Sequence, residues 1–138
     1  DMQFHCVGGN VPNEVARLAD VDGVRIHGHV PDLQPLLDGA RVSIAPLRYG
    51  AGVKGKVNQA MAHGLPVVAT TCAVEGMHLR DGEDVLVADD ATTFADATLR
   101  LHDDEALWPK LAANGRANVA AHFSLDAARA TVREVFLG

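Results

Sequence analysis

The sequence predicts an α/β protein: a Rossmann-like, doubly wound parallel sheet followed by a helical C-terminal tail. Three observations carry this expectation. Short strand-like apolar runs alternate with amphipathic helical runs over roughly the first two thirds of the chain. Several of those runs, such as residues 42–45 and 66–70, are apolar at nearly every position, as strands covered on both faces are. Beyond residue 89 the helical period continues without another strand-like run.

Each element has its own signal. Phe4-His5-Cys6-Val7 reads as a strand ending at the turn Gly8-Gly9-Asn10, and Pro12 opens a helical pattern with Val15, Leu18 and Ala19 on one face. Val24-Arg25-Ile26-His27 alternates and stops at Gly28, after which Asp32 caps a short helix carrying Leu33, Leu36 and Leu37. Val42-Ser43-Ile44-Ala45 stops at Pro46, a glycine-rich loop follows, and a helix runs from about Gly55 to His63. Gly64 stands where a C′ glycine belongs, Leu65 packs back on Ala60, and Pro66 begins the next strand. Val85-Leu86-Val87-Ala88 makes a fifth strand, set off by the turn-rich Arg80-Asp81-Gly82-Glu83-Asp84. Three helices close the chain. The first is capped by Asp89 or Asp90 and carries Phe94, Ala97, Thr98 and Leu101; the second runs from about Glu105 past Leu107, Leu111 and Val119 toward Phe123. The third is capped by Ser124 and carries Leu125, Ala128, Val132 and Phe136.

At 138 residues the chain fits one domain, residues 1–138, with room for a real core. Twelve Lys and Arg against 18 Asp and Glu give a net charge of −6 with no basic block, which argues against a nucleic-acid partner. The two cysteines, Cys6 and Cys72, lie far apart in or beside apolar stretches, which suits buried thiols in a reducing compartment. No apolar run is long enough to cross a membrane, and no basic-then-apolar leader opens the chain. The chain begins directly on a strand, so the expectation is a domain truncated on its N-terminal side.

The most specific stretch is LRYGAGVKGKVNQAMAHGLPVVAT, residues 47–70. Gly50, Gly52 and Gly55 surround Lys54 between the carboxyl end of a strand and the N-terminus of a helix. Ligands of open parallel sheets settle at carboxyl ends. Helix N-termini offer unpaired N–H groups and partial positive charge, and glycine lets an anion approach the backbone. Lys54 and Lys56 add full charges, so the loop suits a phosphate or diphosphate. A tight strand-to-helix turn with solvated lysines is the other reading that these residues leave open. On the following helix Lys56, Gln59 and His63 share one polar face, while Val57, Ala60 and Met61 turn toward the sheet. His63 lies ~10 Å along the axis from Lys56 and reads as a surface or interface residue.

At these residues the chain resembles the donor-binding C-terminal domain of the GT-B glycosyltransferases, specifically the large retaining group called family 4 (glycosyl transferases group 1). The resemblance runs through ARVSIAPLRYGAGVKGKVNQAMAHGLPVVAT and EGMHLRDGEDVLVADDATTFADA, with Gly8-Gly9, VRIHGHVPDLQPLLDGA and AHFSLDAARATVREVF in the expected order. It implies one Rossmann-like half of a GT-B fold that binds a nucleotide-diphosphate sugar for transfer to an acceptor hydroxyl, with retention and without a cofactor or metal. It implies that Gly8 and Gly9 form the first turn and that His29 and Val30 lie beside the nucleotide base. Tyr49, Gly50, Ala51, Gly52, Val53 and Lys54 would lie beside the diphosphate and sugar, and Gln59 beside the ribose. It also implies an N-terminal acceptor domain in the parent chain, without which the fragment is inactive and the final helix is left exposed at Leu125, Val132 and Phe136, and a cytoplasmic parent, membrane-peripheral at most.

This sequence departs from the family at two positions. A pair of glutamates eight residues apart is typical, and Ala51 and Gln59 stand in their places. Sugar recognition then falls to Lys54 or to backbone groups, and Gln59 offers ribose a neutral amide in place of a carboxylate. The alternative from another functional class is a non-catalytic nucleotide- or partner-binding module in which that exchange marks lost activity. Other candidates are weaker. Asp89-Asp90 and Asp103-Asp104 stand at helix starts, where capping accounts for them without a metal. The seven histidines show no zinc-ligand spacing. Gly8-Gly9-Asn10 lacks the spacing of a dinucleotide fingerprint, and no acid closes the second strand, which argues against a nicotinamide-dependent dehydrogenase.

Overall fold

The computed structural model describes residues 2–138. It comprises two compact units, one ending at Leu36 and the other Leu37–Gly138.

In the first unit, β1 (Phe4–Val7) and β2 (Val24–Gly28) pair in parallel, with Phe4 opposite Val24 and Cys6 opposite Ile26. The connection is α1 (Asn13–Ala16), a single turn that tightens into a 3-10 turn at Arg17–Asp20. The helix expected from Pro12 is therefore shorter than its pattern, and Leu18 stays 44% exposed. The next helix, α2 (Gln34–Gly39), starts where expected, with the Asp32 carboxylate accepting from the Gln34 N–H at 2.9 Å.

The second unit holds β3 (Ser43–Ala45), β4 (Val67–Ala69) and β5 (Leu86–Val87) as a parallel sheet in that spatial order. Helix α3 (Gly55–Ala62) joins β3 to β4, and the one-turn helix α4 (Thr71–Val74) begins the path from β4 to β5. Three longer helices follow: α5 (Ala91–Asp103), α6 (Leu107–His122) and α7 (Leu125–Leu137).

The register explains the apolar strands. Ile44, Val68 and Leu86 lie side by side across the sheet, and so do Ala45, Ala69 and Val87 one residue on. Because side chains alternate along a strand, these rows face opposite sides. The first row packs with Phe94, Leu101, Leu107 and Leu111 from α5 and α6. The second packs with Val57, Ala60 and Met61 of α3 and with Met77, Val119 and Phe123. Both faces are covered, which is the doubly wound arrangement, and Val67, Val68 and Ala69 have no exposed surface.

Helix ends follow their sequence signals. Asp90 accepts from the Thr93 N–H and Ser124 from the Ala127 N–H, capping α5 and α7. Asp104 accepts from the Ala106 and Leu107 N–H groups at the start of α6. At the end of α3, Gly64 (φ 74°) donates to the Met61 carbonyl and Leu65 to that of Ala60, the two bonds of a Schellman motif. Asp89 departs from its expected capping role. Its carboxylate accepts from the Thr71 N–H at 2.8 Å and hydroxyl at 2.7 Å, joining the end of β5 to α4. Along α7, Leu125, Val132 and Phe136 are 77%, 54% and 77% exposed.

Candidate functional site

The carboxyl ends of β3, β4 and β5 carry three consecutive features of the second unit: the loop 47–54, the α4 turn and Asp89. The loop begins directly after Pro46, where β3 has ended at Ala45. Thr70 N–H still donates to the Ala45 carbonyl at 3.2 Å, after which α4 begins. In the loop, Gly52 (φ 76°) holds a left-handed conformation that a side chain disfavours.

Lys54 closes the loop in an unusual way. It occupies the N-cap of α3 in extended conformation and makes no side-chain capping bond, where Ser, Thr, Asp or Asn is preferred. The Lys54 carbonyl accepts from Val57 and Asn58, but among the described residues no acceptor takes the N–H groups of Gly55 and Lys56. Lys54 is 9% exposed as a residue, and its ammonium donates to the Gly52 carbonyl at 2.6 Å. No carboxylate lies within salt-bridge distance of it among the described residues. Buried ammonium groups ordinarily have an anionic partner, since desolvating a charge is costly. Here the protein supplies only a carbonyl and an uncapped helix end.

The surroundings are open and basic. Tyr49 is 87% and Val53 51% exposed, and Gly50, Ala51, Gly52, Lys56 and Gln59 are exposed as well. Gln59 lies ~7.5 Å along α3 from Lys54, on the face it shares with Lys56 and His63. His63 turns instead to Asp38, 3.5 Å away, in keeping with a surface role. Between Leu47 and His63 the chain has Arg48, Lys54 and Lys56 and no acid. Asp89, just beyond the carboxyl end of β5, is held below its usual pKa by the Thr71 hydroxyl and then by the Thr71 N–H.

The remaining expected positions belong to the first unit. Gly9 and His29 come together there, since a Cβ on Gly9 would stand 4.0 Å from that of His29. Val30 is half-buried and His29 exposed. His27 pairs with His5 through ring nitrogens 2.8 Å apart, the rings stacked. Sequence reasoning missed α4 and with it Thr70, Thr71 and Cys72; the Thr-Thr pair straight after a buried strand is the signal that could have found them. An open groove of about 350 Å³ lined by His78, Arg80, Asp84, Asn118 and His122 includes no residue of the loop. No cluster of metal-ligating side chains occurs among the described residues, and no helix is long and apolar enough to cross a membrane.

Comparison with known proteins identifies the family. Residues 1–104 match the sequence pattern of the family described as "Glycosyl transferases group 1". A curated relative from Klebsiella pneumoniae, an uncharacterized 44.6 kDa protein in the cps region, is 39% identical over 64 residues, 46% of this chain and 16% of that protein. Among solved structures, sucrose-phosphate synthase from Thermosynechococcus elongatus superposes with a TM-score of 0.82 at 26% identity over 97% of this chain and 37% of its own. Anabaena HepE, crystallised in complex with UDP, superposes with a TM-score of 0.79 at 16% identity over 97% of this chain and 40% of its own. The chain thus spans well under half of each of these relatives.

Proposed function

This chain belongs to the group 1 glycosyl transferases and has the fold of a GT-B C-terminal domain, and from that premise we propose that its loop 47–54 binds the diphosphate of a nucleotide-sugar donor. The observation that carries the reading is Lys54: a buried lysine at an uncapped helix N-terminus, with no carboxylate partner among the described residues, in a loop at the carboxyl ends of parallel strands. A diphosphate would supply the anion that the protein does not, and would take up the free N–H groups of Gly55 and Lys56. The UDP complex of HepE supports a nucleoside diphosphate as the ligand.

In this reading Tyr49, Gly50, Ala51, Gly52, Val53 and Lys54 flank the diphosphate and sugar. His29 and Val30 serve the base, Gln59 the ribose, and Gly8 and Gly9 the first turn. The reaction is glycosyl transfer from the donor to an acceptor hydroxyl, with retention and hexosyl in type, in a cytoplasmic parent. Protein groups position the donor and stabilise charge on the departing diphosphate, so no cofactor or metal is required of this domain. The acceptor is held by another domain of the parent, and this chain alone binds without transferring.

Titration of the isotopically labelled chain with UDP and GDP tests the reading. Amide signals of Gly50 to Lys56 are expected to move, with His29, Val30 and Gln59 reporting the base and ribose roles separately. Shifts confined to α5, α6 and α7 would refute it. The exchange of both family glutamates for Ala51 and Gln59 favours a second reading, a binding module without chemistry. Release of nucleoside diphosphate from nucleotide sugars by the full-length parent decides between them: an active parent supports the transferase, an inactive one the module.

A further inference from the structure

We propose that Thr70 is a positioning residue of the donor site: from α4 it braces the glycine loop so that the loop's carbonyls turn inward and its N–H groups outward. The proposal rests on the donor-site reading above.

The geometry is specific. Were β4 to continue, the next bond of the parallel ladder would run from the Cys72 N–H to the Leu47 carbonyl. Helix α4 interrupts the strand, and the Thr70 hydroxyl takes that place, donating to the Leu47 carbonyl at 2.6 Å. Thr70 is 8% exposed, and its hydroxyl oxygen also accepts from the Ala73 N–H at 3.3 Å as the cap of α4. One hydroxyl therefore fixes both the loop and the turn behind it. Two further loop carbonyls are held inward in the same way: Gly50 accepts from the Cys72 thiol at 3.7 Å, and Gly52 from the Lys54 ammonium at 2.6 Å. Asp89 anchors the turn from the other side through both donors of Thr71.

The consequence follows from the trans peptide, in which a carbonyl and the N–H of the next residue point in opposite directions. With the carbonyls of Leu47, Gly50 and Gly52 drawn onto the protein, the N–H groups of Arg48, Ala51 and Val53 face outward. All three residues are exposed, and among the described residues no acceptor takes their N–H groups. Inward carbonyls also remove the oxygens that would repel a diphosphate. Anion-binding concavities are built from such successive outward N–H groups.

The test compares the chain with Thr70→Val, which keeps the shape and loses the hydroxyl, and Thr70→Ser, which keeps the hydroxyl. The brace is read first without ligand. Thr70→Val is expected to shift the amide signals of Arg48, Ala51 and Val53, and Thr70→Ser to leave them near their original positions. UDP titration below the unfolding temperature is then expected to show a Kd raised about three- to tenfold in Thr70→Val, the range set by loss of one hydrogen bond, and restored within about twofold in Thr70→Ser. Should Thr70→Val not fold, Cys72→Ala leaves the α4 cap intact and is expected to shift Ala51 selectively and weaken UDP by about twofold. A residue that served stability alone would lower the unfolding temperature and leave the Kd of the folded chain unchanged, which would overturn the proposal. Loop amides unmoved in Thr70→Val would overturn it too. An original chain that binds no UDP would instead refute the donor-site reading, an outcome told apart because the brace has already been read on the ligand-free loop.

Discussion

Replacing Lys54 by Met separates its two roles, because its effects on binding and on folding have opposite signs. Met keeps the apolar stem that fills the space behind the loop and removes only the ammonium. In the free chain Lys54 as a residue is buried, and its ammonium has one bond, to the Gly52 carbonyl. Its desolvation is opposed by that bond and by nothing charged, so Lys54→Met is expected to leave folding stability unchanged or to raise it by up to about 1 kcal/mol. In the proposed complex the same ammonium would meet a diphosphate. A charge-assisted hydrogen bond contributes roughly 1.5–3 kcal/mol, so UDP affinity should fall about 10- to 100-fold. Lys56 supplies the contrast. It is exposed, and the loss in Lys56→Met should be smaller and vanish in high salt, whereas that of the buried Lys54 persists. Calorimetric titration with UDP at low and high salt, beside urea unfolding of each ligand-free variant, reads both signs. A Lys54→Met chain that binds UDP as tightly as the original, or that loses binding only because it unfolds, would refute the reasoning.

Gln59→Glu is expected to favour UDP over its 2′-deoxy and 3′-deoxy analogues by roughly 1 kcal/mol more than the original chain does; equal changes for all analogues would remove Gln59 from the ribose. Asp89, Asp90 and Asp104 are each held below the ordinary value of 3.8, chiefly by hydrogen bonds from Thr71, Thr93 and Leu107. Their contribution to stability is therefore present above pH 3.8 and lost as the pH falls through their lower folded values. Urea midpoints should be level near neutrality and drop below that point, and less steeply in Asp104→Asn. Gly115→Ala would set a Cβ 3.0 Å from Met61 Cγ, itself 1% exposed, so overpacking between α3 and α6 should outweigh the gain in helix propensity and cost about 0.5–2 kcal/mol by urea unfolding. A neutral or stabilising result would mean that Met61 yields freely.

What the sequence showed depended on whether a signal was local. Caps, the Schellman end of α3 and the five strands are written in short contiguous patterns, and they lie within a residue or two of where those patterns put them. The placement of Gly50 to Lys54 between a strand end and a helix start was legible for the same reason. The burial of Lys54 was not, because nothing in GAGVKGK distinguishes a lysine folded back onto Gly52 from one in solvent. Thr70, Cys72 and Asp89 were missed because their roles depend on partners 23, 22 and 18 residues away. Asp89 had a local explanation, capping, that its neighbour Asp90 in fact fulfils. The period of α7 showed its apolar face, and the resemblance showed that face as uncovered: Leu125, Val132 and Phe136, expected to reach toward another domain, are exposed.

The missing glutamates change what the loop can select as much as how tightly it binds. From Leu47 to His63 there are three basic residues and no acid, so the formal charge is +3 with histidine neutral; glutamates at positions 51 and 59 would reduce it to +1. A diphosphate gains from that difference, while a sugar hydroxyl loses the strong acceptors that would orient it. Affinity should thus concentrate on the diphosphate and depend steeply on salt. The useful measurement is the ratio of affinities for UDP and for UDP-hexoses in the same chain. If backbone groups and Lys54 orient the sugar, at least one UDP-hexose will bind several-fold more tightly than the others, and the loop retains donor selection without carboxylates. If every UDP-hexose binds equally and more weakly than UDP, the sugar meets no built subsite here, and the transferase reading then requires its selection to come wholly from the rest of the parent chain.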